Sequence, residues 1–177
     1  QTAPKDIKVV YSDIDPVTVA YAQEIVKGLP NVRFIHGDAA DPATVLRSAE
    51  VQELFGDERR VAIGYNGIAW FLTDDQLAHA MKTVYDWAAP GSQLYICDME
   101  PGAETDKFNT TIEFYRSVGQ PVHVRSRERL EELCRPWQLR DPGFQMLEDW
   151  VGIDREMTEE GRSGAGGTAL VGAILHK

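Results

Sequence analysis

The chain has 177 residues, 43% of them hydrophobic, and carries 28 acidic against 18 basic residues for a net charge of −10. That length fits one domain, spanning residues 1–177, with a substantial core. The acidic surface repels phosphate backbones, so no nucleic-acid partner is expected, and no apolar run reaches the roughly 18 residues that suggest a membrane span.

Residues 1–8 lack the apolar stretch of a secretory signal. Cys97 and Cys134 are far apart and form no CxxC pair, which suggests reduced thiols and a cytoplasmic location. His36, His79, His123 and His176 are scattered without metal-ligand spacing, so no metal is expected.

Residues 8–16 read KVVYSDIDP. Val9, Val10 and Tyr11 suit a buried strand, because branched and aromatic side chains fit a pleated, packed surface. Asp15 can accept backbone N–H groups at a helix start, and Pro16 fits the first helical position. Val19, Ala22, Ile25 and Val26 then recur at helical spacing, and Gly28 suits the C-terminal cap. Asp13 is thereby placed where a strand turns into a helix. In a parallel α/β sheet that edge is where ligands bind. An acid there can accept two hydrogen bonds from a ribose diol, or it can simply cap and solvate the turn.

The same grammar repeats. VRFIHGD, residues 32–38, reads as a strand ending in an acid, and Asp41-Pro42 opens a helix carried by Val45, Leu46, Ala49 and Leu54. RVAIGYNG, residues 60–67, is the third strand. Thr73 and Gln76 form a capping box, and Leu77, Ala80, Met81, Val84 and Ala88 line one face of the helix that follows. Pro90-Gly91 turns the chain into a fourth strand, SQLYICD, residues 92–98. This alternation argues for a parallel sheet with helices on both faces.

The pattern then changes. Residues 104–118 read as a helix with Phe108, Ile112 and Tyr115 as its buried stripe, PVHVR is extended, and Ser126 caps a short helix through Cys134. The basic cluster of His123, Arg125, Arg127 and Arg129 is diluted by Glu128, Glu131 and Glu132 and reads as a solvated face. QMLEDWV (145–151) and TALVGAILHK (168–177) read as two strands. The stretch joining them is too short for a parallel crossover with its own packed helix, so an antiparallel pair is expected to close the sheet.

In dinucleotide-type folds a strand-end acid follows a glycine-rich loop by about 20 residues. Counting back from Asp13 runs past Gln1, so that loop and its strand are expected upstream. GRSGAGG, residues 161–167, does not qualify, because it leads into a strand rather than opening a helix.

The order of motifs resembles class I S-adenosylmethionine-dependent methyltransferases. Within them it is most similar to a bacterial family first catalogued as a domain of unknown function and later named S-adenosyl methyltransferase. VVYSDIDP matches the second-strand motif and FIHGDAADPATVL the third. PVHVRSRERLEELC, with LRDPGF and EDW, resembles the C-terminal region and is the most family-specific piece. The likeness is spread over nearly the whole chain. Two features depart from it: the first-strand glycine motif would precede Gln1, and GYNGIAWFL has Trp70 where relatives tend to carry histidine.

The resemblance implies an α/β, Rossmann-like methyltransferase sheet, mostly parallel with an antiparallel C-terminal strand. It implies S-adenosyl-L-methionine as cofactor and a small-molecule methyl acceptor. Asp13 would bind the ribose hydroxyls, Ile14 would pack on the adenine face, and Asp38 would accept from the adenine amino group. The backbone N–H of Ala39 would meet a ring nitrogen, and Asn66 and Gly67 would line the methionine side. The plain alternatives are that Asp38 only begins a turn and that Asn66 only satisfies backbone groups. Asp98, Glu100 and His123 are reachable as a general base, and none is assigned that role. Trp70, Phe71, Phe108 and Tyr115 could line an acceptor pocket or simply fill the core.

In this family's sheet the first strand sits beside both the second and the fourth. Without it, residues 8–13 and 60–66 would each expose a hydrogen-bonding edge. The missing element is therefore expected from an upstream segment, another chain or a homo-oligomer contact. A split sheet with nothing between those strands counts against this topology. Two other functions stay open: a non-catalytic Rossmann-like interaction module, and a nicotinamide-dependent oxidoreductase, against which the Asp38 position and the antiparallel pair argue.

Overall fold

The computed structural model describes residues 6–101, 105–151 and 168–177. Strand β1 (Val9–Asp13) runs parallel to β2 (Val32–His36), with Val9 beside Val32 and Asp13 beside His36. Helix α1 (Pro16–Val26) connects them. Asp15 starts this helix: its carboxylate accepts from the Val17 and Thr18 N–H groups, and Pro16 needs no N–H partner there. Gly28, at φ 87°, turns the chain out of it in a conformation that a Cβ disfavours.

A second sheet is built on β3 (Ala62–Asn66) and β4 (Gln93–Pro101), again parallel, with Asn66 beside Cys97. Strand β7 (Thr168–His176) lies antiparallel along β4, pairing Gln93 with His176 and Pro101 with Thr168. Two short strands, β5 (Gln138–Leu139) and β6 (Gln145–Met146), also pair antiparallel with β7. The helices are α2 (Pro42–Leu46), α3 (Ala49–Phe55), α4 (Asp74–Trp87), α5 (Thr105–Ser117), α6 (Arg127–Leu133) and α7 (Leu147–Val151).

The core lies on this second sheet. Leu77, Ala80, Met81 and Val84 of α4 pack with Leu94 and Ile96 of β4 and Val171, Ala173 and Leu175 of β7. Each fully buried aliphatic side chain of this size contributes ~1.5–3 kcal/mol. Leu130, Cys134 and Trp137 close the cluster, and the Trp137 indole donates to the Met81 carbonyl at 3.0 Å. The Thr73–Gln76 capping box forms as expected, as does the Ser126 cap of α6.

Several elements differ from the sequence-based expectation. Residues 145–151 are strand only at Gln145–Met146 and then turn into α7. A helix puts Leu147 and Trp150 on one face, whereas a strand would send them to opposite faces. Leu147 can thus sit against Gly172 while Trp150 stacks on Tyr95 at 5.8 Å. The single helix expected over residues 42–54 is two, because the Ser48 hydroxyl accepts from the Val51 N–H and starts α3 afresh. Of the expected α5 stripe, Ile112 and Tyr115 are half-buried, and the Phe108 side chain lies outside what is described. The 161–167 stretch also lies outside the described residues.

The β1–α1 region is more open than its composition suggested. Tyr11 is 52% exposed and Ile25 is 67% exposed, rather than buried. The sheet is split: β1 pairs only with β2, β3 pairs only with β4, and no strand of the described residues lies between β1 and β3. The α/β architecture holds, with parallel pairs and an antiparallel C-terminal strand. As expected where the first strand is missing, β1 and β3 each keep an edge unpaired by the described residues, which supply no strand for that interval.

Candidate functional site

Parallel pairing brings the C-terminal ends of β1 and β2 side by side. The Gly37 N–H donates to the Asp13 carbonyl at 2.9 Å and ties them together. One carboxylate oxygen of Asp13, Oδ1, accepts from the Asp15 N–H at 2.9 Å. Its Oδ2 has no hydrogen-bond partner among the described residues. Asp38 repeats the arrangement, with Oδ1 accepting from the Ala40 N–H at 2.8 Å. Each acid thus shapes its own turn with one oxygen and, among the described residues, keeps the other available. Ile14 follows Asp13 with its side chain 61% exposed, and its carbonyl lies 3.0 Å from His36 Nε2.

Tyr65 links this edge to the second sheet. Its hydroxyl donates to the Ala39 carbonyl at 3.2 Å. Burial, with the Asp38 charge added, pushes the phenol well above its ordinary value, so it stays a neutral donor. Asn66 and Gly67 follow Tyr65 directly; Asn66 is exposed and Gly67 has φ 74°. The structure therefore gathers Asp13, Ile14, Asp38 and Ala39 at one strand edge, and the Tyr65 bond holds the end of β3 beside it. These residues fit a nucleoside. Two carboxylates each offer a free oxygen to a diol or an amine, and an exposed aliphatic side chain offers a face for a ring.

Beyond Gly67 a short 3-10 turn, Ala69–Phe71, carries Trp70. Its indole packs against Gly67, where a Cβ would lie 3.3 Å from Trp70 Cη2. Trp70 and Phe71 meet at 5.9 Å, Phe71 and Tyr115 at 5.4 Å, and Tyr115 and Phe114 at 5.7 Å, so an aromatic run leads away from the strand edge.

The basic cluster is a solvated face only in part: Arg129, Glu128, Glu131 and Glu132 are exposed. Arg125 is buried, and its guanidinium donates to the Asp74 carboxylate at 2.7 Å, to Asp98 Oδ2 at 3.4 Å and to the Ala69, Leu72 and His123 carbonyls. Arg127 makes a two-pronged pair with Glu100.

This network occupies two of the three base candidates. Asp98 is fully buried, with Oδ1 accepting from the Met99 N–H at 2.7 Å and Oδ2 facing Arg125. Burial pushes its carboxyl up to about 6. Glu100 is held by Arg127. His123 donates its backbone N–H to the Trp70 carbonyl at 2.7 Å, and its side chain is half-buried.

The fold is an α/β one of the Rossmann-like methyltransferase type. The family model for S-adenosyl methyltransferase matches residues 1–174, and the chain belongs to that family. A DUF574 family protein from Streptomyces avermitilis shares the fold at 22% identity and TM-score 0.78, with 96% of this chain and 65% of that one covered. A candidate methyltransferase from Thermobifida fusca is similar at 22% identity and TM-score 0.77, over 96% of this chain and 63% of that one. The N-methyltransferase NodS from Bradyrhizobium japonicum shares the fold at 11% identity and TM-score 0.57, over 96% and 73% of the two chains. This chain thus spans under two thirds of the length of the first two. No curated protein matches it.

Proposed function

We propose that this protein transfers a methyl group from S-adenosyl-L-methionine to a small-molecule acceptor. The observation that carries the reading is the pair of carboxylates at the C-terminal ends of two adjacent parallel strands, Asp13 closing β1 and Asp38 two residues past β2, each with one oxygen unpartnered among the described residues. In this reading Asp13 takes the ribose hydroxyls, Asp38 the adenine amino group, the Ala39 N–H a ring nitrogen, and Ile14 the ring face. Asn66 and Gly67 border the methionine part. A geranyl diphosphate methyltransferase of the same fold, at 11% identity and TM-score 0.59, is known in complex with that cofactor, which supports the reading.

The cofactor brings a methyl group already activated by its sulfonium. The protein's share is then to hold donor and acceptor in line, and rigid positioning is a large part of such catalysis. No residue is given the role of base, since Asp98 and Glu100 are engaged with arginines. That engagement also favours the second reading, a non-catalytic module of the same fold. The unpaired edges of β1 and β3 support completion of the sheet by one further strand, from an upstream segment or a second copy. The two buried, free cysteines support a reducing, cytoplasmic setting.

Calorimetry with S-adenosylmethionine and S-adenosylhomocysteine tests this, on the present chain and on one extended upstream of Gln1. Binding is expected of the extended chain, and Asp13→Ala in that chain should weaken it at least about tenfold by removing a hydrogen-bonded charge. Binding by neither chain would shift the assignment to the non-catalytic module.

A further inference from the structure

Several hydrogen bonds hold the turn after β3. The Ile68 carbonyl accepts from the Phe71 N–H at 3.1 Å, and the Trp70 carbonyl from the His123 N–H at 2.7 Å. The Ala69 carbonyl accepts from the Leu72 N–H and from Arg125, and the Leu72 carbonyl from Arg125 again. The Trp70 indole N–H takes no part in them. It is buried, and among the described residues it is the one buried side-chain polar atom without a partner. A buried donor left unmet is costly, and native folds keep few of them.

Its place in the fold is informative. Trp70 Cη2 and Cζ2 lie against Gly67, 3.3 and 3.6 Å from where a Cβ would stand. Nε1 is two bonds from Cζ2, so the N–H sits in the ring system that packs on Gly67. Gly67 in turn ends the strand whose tip borders the methionine part of the cofactor in the function proposed above.

We propose that the Trp70 N–H binds the carboxylate of the cofactor's amino-acid part; this rests on the S-adenosylmethionine reading and deepens it. An N–H can pair only with an acceptor. In the methionine part the ammonium group is a donor and the sulfonium is a cation, so the carboxylate alone qualifies. The turn is held by Arg125 and His123 before any ligand arrives, so little order is lost on binding. The N–H is closed to water, a setting in which a charge-assisted bond is strong. Ligand entry requires the side chains over that edge to part.

The test compares S-adenosylhomocysteine with its decarboxylated analogue, which keeps the nucleoside, the thioether and the amine. The wild-type protein should prefer the carboxylate-bearing ligand by about 10- to 100-fold in calorimetry. Trp70→Phe, without a ring N–H, should bind both alike, while Trp70→His, which keeps one, should retain the preference. If Trp70→Phe does not fold, Trp70→Met, which also lacks a donor, makes the same comparison. Equal wild-type affinity for the two ligands, or an undiminished preference in Trp70→Phe, overturns the proposal and returns Trp70 to a packing role. These measurements use the chain extended upstream of Gln1; if that chain, with Trp70 in place, binds neither ligand, the cofactor reading itself falls, and this inference with it.

Discussion

Arg125 Nη1 stands 3.4 Å from Asp98 Oδ2, with only 3% and 0% of the two side chains exposed. The pair joins β4 to the loop before α6, and through the Asp74, Ala69 and Leu72 bonds Arg125 also fixes the turn that carries Trp70. Removing one member of a buried pair leaves an uncompensated charge in a poorly solvated place. Arg125→Met is therefore expected to destabilise the fold by about 3–5 kcal/mol in urea unfolding. The Asp74–Arg129 pair is far more exposed, so Arg129→Ala should cost about 1 kcal/mol or less.

Asp98 also gives stability a pH dependence. Burial raises its carboxyl from 3.8 to about 6, against smaller opposing pulls from the Met99 N–H and Arg125. Cys134, itself raised chiefly by burial, feels the Asp98 charge, and Asp74 shares Arg125. The folded chain thus holds the Asp98 proton where the unfolded chain has lost it. The stabilisation is fully present below the unfolded value and disappears as pH rises through about 6. Asp74, lowered mainly by its Arg125 hydrogen bond, works in the opposite sense and loses its contribution as pH falls. The stability of wild type relative to Asp98→Asn should decline between pH 3.8 and about 6 and then level off. A difference independent of pH across that window would refute the direction.

Tyr65→Phe deletes the hydroxyl that reaches Ala39 across the split. The loss of that bond should cost about 1 kcal/mol. The more telling readout is hydrogen exchange: β1 and β2 should exchange faster while β4 and β7 keep their protection. Uniform acceleration across both sheets would show that Tyr65 acts only as core.

Gly172 lies where β7 passes closest to its neighbours. A Cβ there would come within 2.7 Å of Leu147 Cδ2 and 3.3 Å of the Ile96 carbonyl. The leucine tip can yield, but the β4 backbone cannot easily do so. Gly172→Ala is expected to lower stability by about 1–3 kcal/mol, seen as a lower Tm.

Much of the chain declared itself locally. Asp15-Pro16, the Thr73–Gln76 box and Ser126 each start a helix through contacts within three residues, so the sequence alone locates those starts. Strand ends carrying Asp13 and Asp38 were legible for the same reason, since periodicity and turn chemistry repeat over short stretches. The parallel pairs and the antiparallel last strand followed from the order of elements.

Other features were decided only by distant neighbours. Residues 147–151 became a helix so that Leu147 and Trp150 could share one face over Gly172 and Tyr95. Arg125 reads locally as one more surface charge, yet its partners Asp74 and Asp98 lie 51 and 27 residues away. The unmet Trp70 N–H is likewise invisible in a string of letters. Caps and periodicities are short-range and written in adjacent residues; burial, charge pairing and unsatisfied donors depend on which remote segments meet, and only the folded chain brings those together.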